Sequence, residues 1–231
     1  MYDYDNHMIE AIKNYRDIEP GSRFLCMFSG GKDSGLAMSL AIASGAKPMA
    51  IIHILDGENS LYHNQQASVI EAQAKAMDIK LNYMPYKWWR DWTRACEDLE
   101  KLRESGAQSI VFGDIRLKYI FLGDIPLCEK SGYKAVLPIG GVSYSELMNQ
   151  IEKHQIISII TKINHPAINR NLLGRVFTRE VYEYMASIGI DPFGEFNEFH
   201  TTLVSADFFV SPLRYHLVSN IADDMISVII D

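Results

Sequence analysis

Six consecutive residues, Ser29-Gly-Gly-Lys-Asp-Ser34, combine two adjacent glycines, a lysine, an aspartate and two hydroxyls. Adjacent glycines let a backbone turn tightly and bring its N–H groups close to an anion. Lys32 adds a full positive charge, and Ser29 and Ser34 add hydroxyl donors. A helix starting just after the string would present the positive end of its dipole to the same place. Phosphate is the chemistry such a set suits. The pattern is not a Walker A loop, which wants Gly where Cys26 stands and Ser or Thr where Asp33 stands. A plain Gly-rich strand-to-helix turn with a solvated lysine has the same shape.

A second group lies near the other end. Glu195 and Glu198 are three residues apart, with His200 two further on and Gly194 beside them. Such a group can bind an amine or ammonium, hold Mg²⁺ or move protons. It can also be a surface turn with scattered charge. Asp114 follows a predicted strand and Gly113, so it is either a ligand-facing or Mg²⁺-linked carboxylate at a sheet edge or the N-cap of the next helix. Asp33 either orients Lys32 or a metal, or favours the start of its helix. His53, inside an apolar strand, reads as a satisfied core histidine. Trp88 and Trp92 share a helical face with Trp89 beside them, which suits core packing, while Arg90 and Arg94 share a neighbouring, solvated face. His63 opens a helix and has no assigned role.

These groups need elements to position them. Phe24–Phe28 reads as a buried strand running into the glycine loop, followed by a helix over 35–44 stopped by Gly45. Strands are expected over 49–55, 80–84, 109–112 and 135–137, with helices over 63–78 and 88–105 between them. Buried apolar strands alternating with helices predict an α/β fold, a doubly wound parallel sheet whose ligands sit at the strands' carboxyl ends. After Pro138-Ile-Gly-Gly141 the texture changes. Helices over 143–154 and 178–187 mix with strands over 156–161, 199–204, 208–210 and 215–218, a smaller α+β C-terminal lobe. The expected domains are therefore 1–137 for the nucleotide and 138–231 for the substrate.

The chain has 231 residues, 22 basic and 29 acidic side chains and a net charge of −7. At roughly 150 residues per domain this is one large domain or a domain with an appendage. With 48% hydrophobic and 22% charged residues, it can bury a sizeable core. The acidic balance argues against broad nucleic-acid binding. No run reaches the roughly 18 apolar residues of a membrane span. Three cysteines, Cys26, Cys96 and Cys128, form no C-x-x-C pair and predict neither a disulfide framework nor a zinc site. The expected location is cytoplasmic.

The glycine loop resembles the signature of the PP-loop (N-type) ATP pyrophosphatases, proteins of HUP, Rossmann-like architecture that cleave ATP to AMP and pyrophosphate. Val111-Phe-Gly-Asp-Ile115, Asn171-Leu-Leu-Gly-Arg175 and Asp191-Pro-Phe-Gly-Glu-Phe-Asn-Glu-Phe-His-Thr201 resemble blocks of the diphthine–ammonia ligase-like branch, in its order and spacing. The likeness runs from about Phe24 to Val204. It implies ATP and Mg²⁺ as cofactors, with Ser29, Gly30, Gly31, Lys32, Asp33, Ser34, Ile54, Leu55 and Gly113 around the nucleotide and Asp33 and Asp114 on the metal. Lys32, Asp114, Glu195 and Glu198 become the expected catalytic residues. Gly140, Glu195, Asn197, Glu198, His200 and Thr201 become the expected substrate site.

The implied reaction adenylates a carboxylate and transfers ammonia or an amine to the acyl group. The acceptor would be diphthine of elongation factor 2 in an archaeon or eukaryote and a small carboxylate in a bacterium. Departures bear on that acceptor. Gly140 replaces a tryptophan of the branch, predicting an enlarged or reshaped pocket near the reacting group. Asn197 replaces a glycine, and Phe193 stands where many relatives have Cys. Two other readings remain: a PP-loop sulfurtransferase using the same adenylation, and a nucleotide-binding regulator without turnover. The C-terminal strands also allow a homodimer.

Overall fold

A computed structural model of the chain describes residues 6–55, 66–85, 91–116, 118, 120–220 and 225–231. They fall into two compact units, each assembled from separate stretches of sequence. One comprises Met1–Phe28, Asp33–Asp56 and Ile79–Val142, the other Ser29–Lys32, Gly57–Asp78 and Ser143–Asp231. The later unit boundary thus lies five residues beyond the 137/138 division expected from sequence, and two early stretches group with the C-terminal part.

The first unit is built on strands β1 (Arg23–Met27), β2 (Lys47–Leu55), β3 (Lys80–Pro85), β4 (Ser109–Val111) and β5 (Lys134–Val136). All are parallel, in the order β3-β2-β1-β4-β5. Phe24, Leu25, Cys26, Ile51, Ile52, Ile110 and Val111 are all 0% exposed. Strands apolar throughout, rather than alternating, are what a sheet covered on both faces requires. The chain leaves β1 with β2 on one side and β4 on the other, so the glycine loop opens at the point where strand order reverses. The parallel, doubly wound sheet expected from sequence is therefore present.

Helices α1 (Asn6–Ile12), α2 (Lys32–Ala43), α3 (Ala67–Met77), α4 (Trp92–Lys101) and α5 (Ile125–Ser131) follow in chain order. Helix α2 begins at Lys32, earlier than the Gly35 expected. Asp33 and Ser34 therefore occupy its first turn, where a carboxylate meets the positive end of the helix. Trp92 and Cys96 of α4 pack, partly buried, against the core around Leu25, Ile52, Leu99 and Ile110. Trp88, Trp89, Arg90 and His63 lie outside the described residues. A π-helical turn, Ile120–Asp124, leads into α5 and was not foreseen from sequence.

The second unit holds an antiparallel sheet in the order β7-β6-β9-β8, with β6 (Ile157–Ile163), β7 (Phe199–Ser205), β8 (Tyr215–Asn220) and β9 (Met225–Ile230). Ile160 pairs with Thr201 and Ile159 with Thr202. Helices α6 (Tyr144–Lys153) and α7 (Arg179–Ser187) are capped as their sequences suggest. Ser143 Oγ accepts from the Glu146 amide at 3.3 Å, and Thr178 Oγ1 accepts from the Val181 amide at 3.5 Å. Two expectations fail. Residues 208–210 form a turn, not a strand, closed by Phe209 N–H to the Ala206 carbonyl at 3.1 Å. The cause is Asp207, whose carboxylate meets His154 Nδ1 at 2.7 Å and whose amide donates to the His154 carbonyl, turning the chain out of the sheet. Strand β9, by contrast, went unpredicted.

Candidate functional site

The residues singled out by sequence are gathered in two places, one in each unit. In the first unit, β1 ends at Phe28, whose amide donates to the Ile52 carbonyl at 2.9 Å and whose carbonyl meets His53 Nδ1 at 2.7 Å. His53 is 1% exposed. Burial lowers its pKa against the opposing pull of the Phe28 carbonyl, so the ring is neutral with its proton on Nδ1. Nε2 is buried with no hydrogen-bond partner among the described residues, so only one ring nitrogen is satisfied. Ile54 and Leu55 end β2, half-buried.

Beyond β4, Gly113 passes directly over the first turn of α2. A Cβ at this position would lie 2.6 Å from Ser34 N, 2.7 Å from Ser34 Cα and 2.9 Å from the Asp33 carbonyl carbon. Only a glycine allows that approach. It brings Asp114 close enough to Asp33 for their charges to interact. Asp114 is exposed to solvent, with Asp33 near its carboxyl. Loss of water and then the Asp33 charge raise its carboxyl to about 6. Asp124, at the end of the π-helical turn, continues the series. Its carboxyl is held well above the usual range by burial and then by the charge of Asp114, and its Oδ2 has no hydrogen-bond partner among the described residues. Sequence reasoning missed Asp124, because nothing in Phe121-Leu-Gly-Asp124 signals a π turn; such turns do gather at functional sites.

Mg²⁺ ordinarily takes one or two carboxylates and completes its shell with water and substrate phosphates. Asp33 and Asp114 supply that number. Among the described residues no group of three or more His, Cys, Asp or Glu side chains is placed to hold a metal alone. The donor set fits Mg²⁺ brought with a nucleotide.

In the second unit, the loop Ser29–Lys32 lies along β7. The Leu203 amide donates to the Gly30 carbonyl at 2.8 Å. Gln73 of α3, fully buried, donates from Nε2 to that same carbonyl at 3.0 Å and to the Leu203 carbonyl at 2.7 Å. Lys32 N–H donates to Thr201 Oγ1 at 3.2 Å. Gly31 has no room for a side chain there, since its Cβ would stand 3.1 Å from the Thr201 carbonyl oxygen. Thr201, expected among the substrate residues, thus fastens the loop backbone.

Lys32 itself is 3% exposed. Its Nζ donates to the Phe193 carbonyl at 2.6 Å and lies 5.1 Å from the Phe193 ring centre and 5.4 Å from those of Phe177 and Phe199. Rather than pointing into solvent, the lysine ends in a box of three rings and one carbonyl, where each ring face attracts a cation. Sequence reasoning named Phe193 as a departure, carried Phe199 inside the acidic block without giving it a role, and missed Phe177.

The acidic segment before β7 is a tight turn. Asp191 Oδ1 accepts from the Phe193 amide at 2.9 Å and the Glu195 amide at 3.4 Å, and Tyr144 donates to its Oδ2 at 2.6 Å. Glu198 Oε2 accepts from the Phe196 amide at 2.8 Å. Asn197 has φ +69°, which explains why a glycine or asparagine is wanted there. Its Oδ1 accepts from His200 Nε2 at 2.7 Å, so its side chain is spent inside the turn. Gly140 lies in the first unit, where a Cβ would meet Ile12 Cγ1 at 3.1 Å and Ile120 Cδ1 at 3.2 Å. Ile12 and Ile120 thus stand against the face that a larger side chain would occupy.

Cys26 and Cys128 are buried, and burial pushes both thiols far up. Cys128 lies on α5 and Cys96 on α4, as helical core filler. Among the described residues, no helix is long and apolar enough to cross a membrane.

Residues 22–135 match the family model described as diphthamide synthase N-terminal domain. No curated protein matches the sequence. Among solved structures, the chain is similar to a predicted subunit of tRNA methyltransferase from Methanocaldococcus jannaschii, at 19% identity over 80% of this chain and 97% of that one, with a TM-score of 0.45. It is also similar to the U34-tRNA thiolase NcsA from Methanococcus maripaludis, solved with its 4Fe–4S cluster, at 13% identity over 64% and 63% of the two chains and a TM-score of 0.40. An NMN synthetase from Francisella tularensis gives 14% identity over 64% and 66% and a TM-score of 0.33.

Proposed function

We propose that the chain, whose residues 22–135 match the diphthamide synthase N-terminal domain model, is an AMP-forming ligase of the PP-loop ATP pyrophosphatase type. A substrate carboxylate attacks the α-phosphorus of ATP, forming an acyl-adenylate and releasing pyrophosphate. Ammonia or a primary amine then displaces AMP and leaves an amide. The diphthamide name of the domain favours the diphthine carboxylate as acceptor, with a small carboxylate as the alternative.

The observation that carries this reading is the bare approach of Gly113 to the first turn of α2, within 2.6 Å of Ser34 N for any added Cβ. It leaves the helix N-terminus and the Asp33–Asp114 pair facing one place, which suits a nucleotide's phosphates with their cation. Bound there, Mg²⁺ would neutralise charge on the phosphates as pyrophosphate leaves. Asp33 and Asp114 would orient it, Ser29 and Ser34 would donate to phosphate oxygens, and the ends of Ile54 and Leu55 would receive the adenine. Glu195 or Glu198 of the acidic turn would meet the incoming amine and accept its proton.

Sulfur transfer is disfavoured because Cys26 and Cys128 are buried with raised pKa values, the opposite of a reactive thiolate. Phosphorus NMR of ATP incubated with a panel of carboxylates and ammonium chloride tests the reading. AMP and pyrophosphate are expected with one of them, and ADP with inorganic phosphate would remove it. The Cys96→Ser/Cys128→Ser double variant is expected to keep full turnover.

A further inference from the structure

The box around Lys32 is built before any ligand arrives. Phe177 stacks on Phe199, ring centres 5.8 Å apart at 24°, and meets Phe193 edge-on at 5.8 Å. Phe193 is clamped in turn by stacking on Tyr144 at 5.0 Å and by the edge of Tyr182 at 6.0 Å. Tyr144 is held by its hydrogen bond to Asp191. All three box rings are at most 3% exposed. Three ring faces and the Phe193 carbonyl form an environment that suits an ammonium group. The structure shows the box holding such a group, the ammonium of Lys32, with its N–H donated to the Phe193 carbonyl.

A lysine in a phosphate loop has a second place to be, alongside the triphosphate, and one ammonium cannot occupy both. We propose that the Phe177–Phe193–Phe199 box is the binding site for the ammonium or primary ammonium co-substrate, that Lys32 plugs it in the nucleotide-free protein, and that ATP opens it by drawing Lys32 to its phosphates. The identity of the cation rests on the ligase reading; the site itself does not. Binding is thereby ordered. The nitrogen source enters only after ATP is seated, and the emptied box lies one side-chain length from the loop that holds the phosphates.

Methylammonium chloride, compared with sodium chloride at equal ionic strength, is the probe, and calorimetry on the full chain is the readout. The nucleotide-free protein is expected to give no saturable heat. Protein loaded with α,β-methylene-ATP is expected to bind methylammonium, as is Lys32→Ala without nucleotide. Lys32→Met, which refills the box with a neutral chain of similar length, is expected not to bind. Phe199→Leu in the Lys32→Ala background is expected to weaken binding by about tenfold. No saturable binding to the analogue-loaded protein overturns the proposal, and that measurement decides the matter even where Lys32→Ala fails to fold. Equal binding to Lys32→Ala and to its Phe199→Leu derivative also overturns it. Methylammonium binding as expected, with no carboxylate ever yielding AMP, upholds the box and removes the ligase reading alone.

Discussion

Asp33 and Ser34 are accommodated by something missing, the side chain of Gly113, whereas the four residues before them are held by side chains and carbonyls from distant parts of the chain. The peptide bond between Lys32 and Asp33 separates the two regimes, and it is also where one compact unit gives way to the other. Clearance is all-or-none: a single added carbon meets backbone that cannot step aside. Cross-linking is graded, because Gly30 and Lys32 share their fastening among Gln73, Leu203, Thr201 and Phe193. The first region suits an invariant task, gripping phosphate, and the second suits a movable one.

Substitutions can break that contrast or sharpen it. Phe193→Ala removes a fully buried ring from the centre of an aromatic stack and is expected to cost about 4 kcal/mol in denaturant unfolding. Phe193→Met is expected to recover most of that stability but not methylammonium binding; recovery of both would show that the Phe193 ring face does not hold the cation. Gly113→Ala is expected to cost about 2 kcal/mol and, beyond that, to abolish calorimetric binding of α,β-methylene-ATP. Retained nucleotide affinity would show that the close approach is incidental. Gln73→Met loses two hydrogen bonds to carbonyls at similar volume, at about 1–2 kcal/mol, and is expected to leave nucleotide affinity nearly intact.

Asp114 offers a test through pH. Its carboxyl titrates near 6 in the folded protein against an ordinary 3.8, so between those values the folded state holds the extra proton. Stability in metal-free buffer therefore falls as pH rises from 3.8 to about 6 and levels off above. Asp114→Asn is expected to remove its share of that decline in urea titrations across the range; an unchanged slope would mean that Asp114 is not crowded by Asp33. Asn197→Gly brings the smallest effect, a few tenths of a kcal/mol, because relief of the left-handed backbone offsets loss of the bond to His200.

How much was legible in the sequence follows the same contrast. Strand β1, the glycine loop and α2 are adjacent in the chain, so their roles could be read from a short string of residue types. Gly113 and Asp114 were found because a strand's carboxyl end is a place defined by topology. The destination of Lys32 was not readable, since its carbonyl partner stands 161 residues away and neither Phe177 nor Phe199 is marked by sequence as a partner of a lysine. Asp124 escaped because a π turn has no local code, and the turn at 208–210 because the partner that holds Asp207 is His154, more than fifty residues earlier. Asn197 and Gly140 were noticed as departures, but their consequences depend on a backbone angle and on two isoleucines that only three dimensions supply.

The stitching of Gly30 to Gln73 and Leu203 sets a limit on how this chain can be cut. Ending a fragment after Val142 would keep every strand of the parallel sheet yet strip the Gly30 carbonyl of its Leu203 donor, remove Thr201 from Lys32 and expose an ammonium that now has three aromatic walls. A shortened clone of that kind is expected to fold around its sheet and to hold its most diagnostic six residues in the wrong shape. Recombination that trades the C-terminal half for another would have to bring its own fastening for the loop.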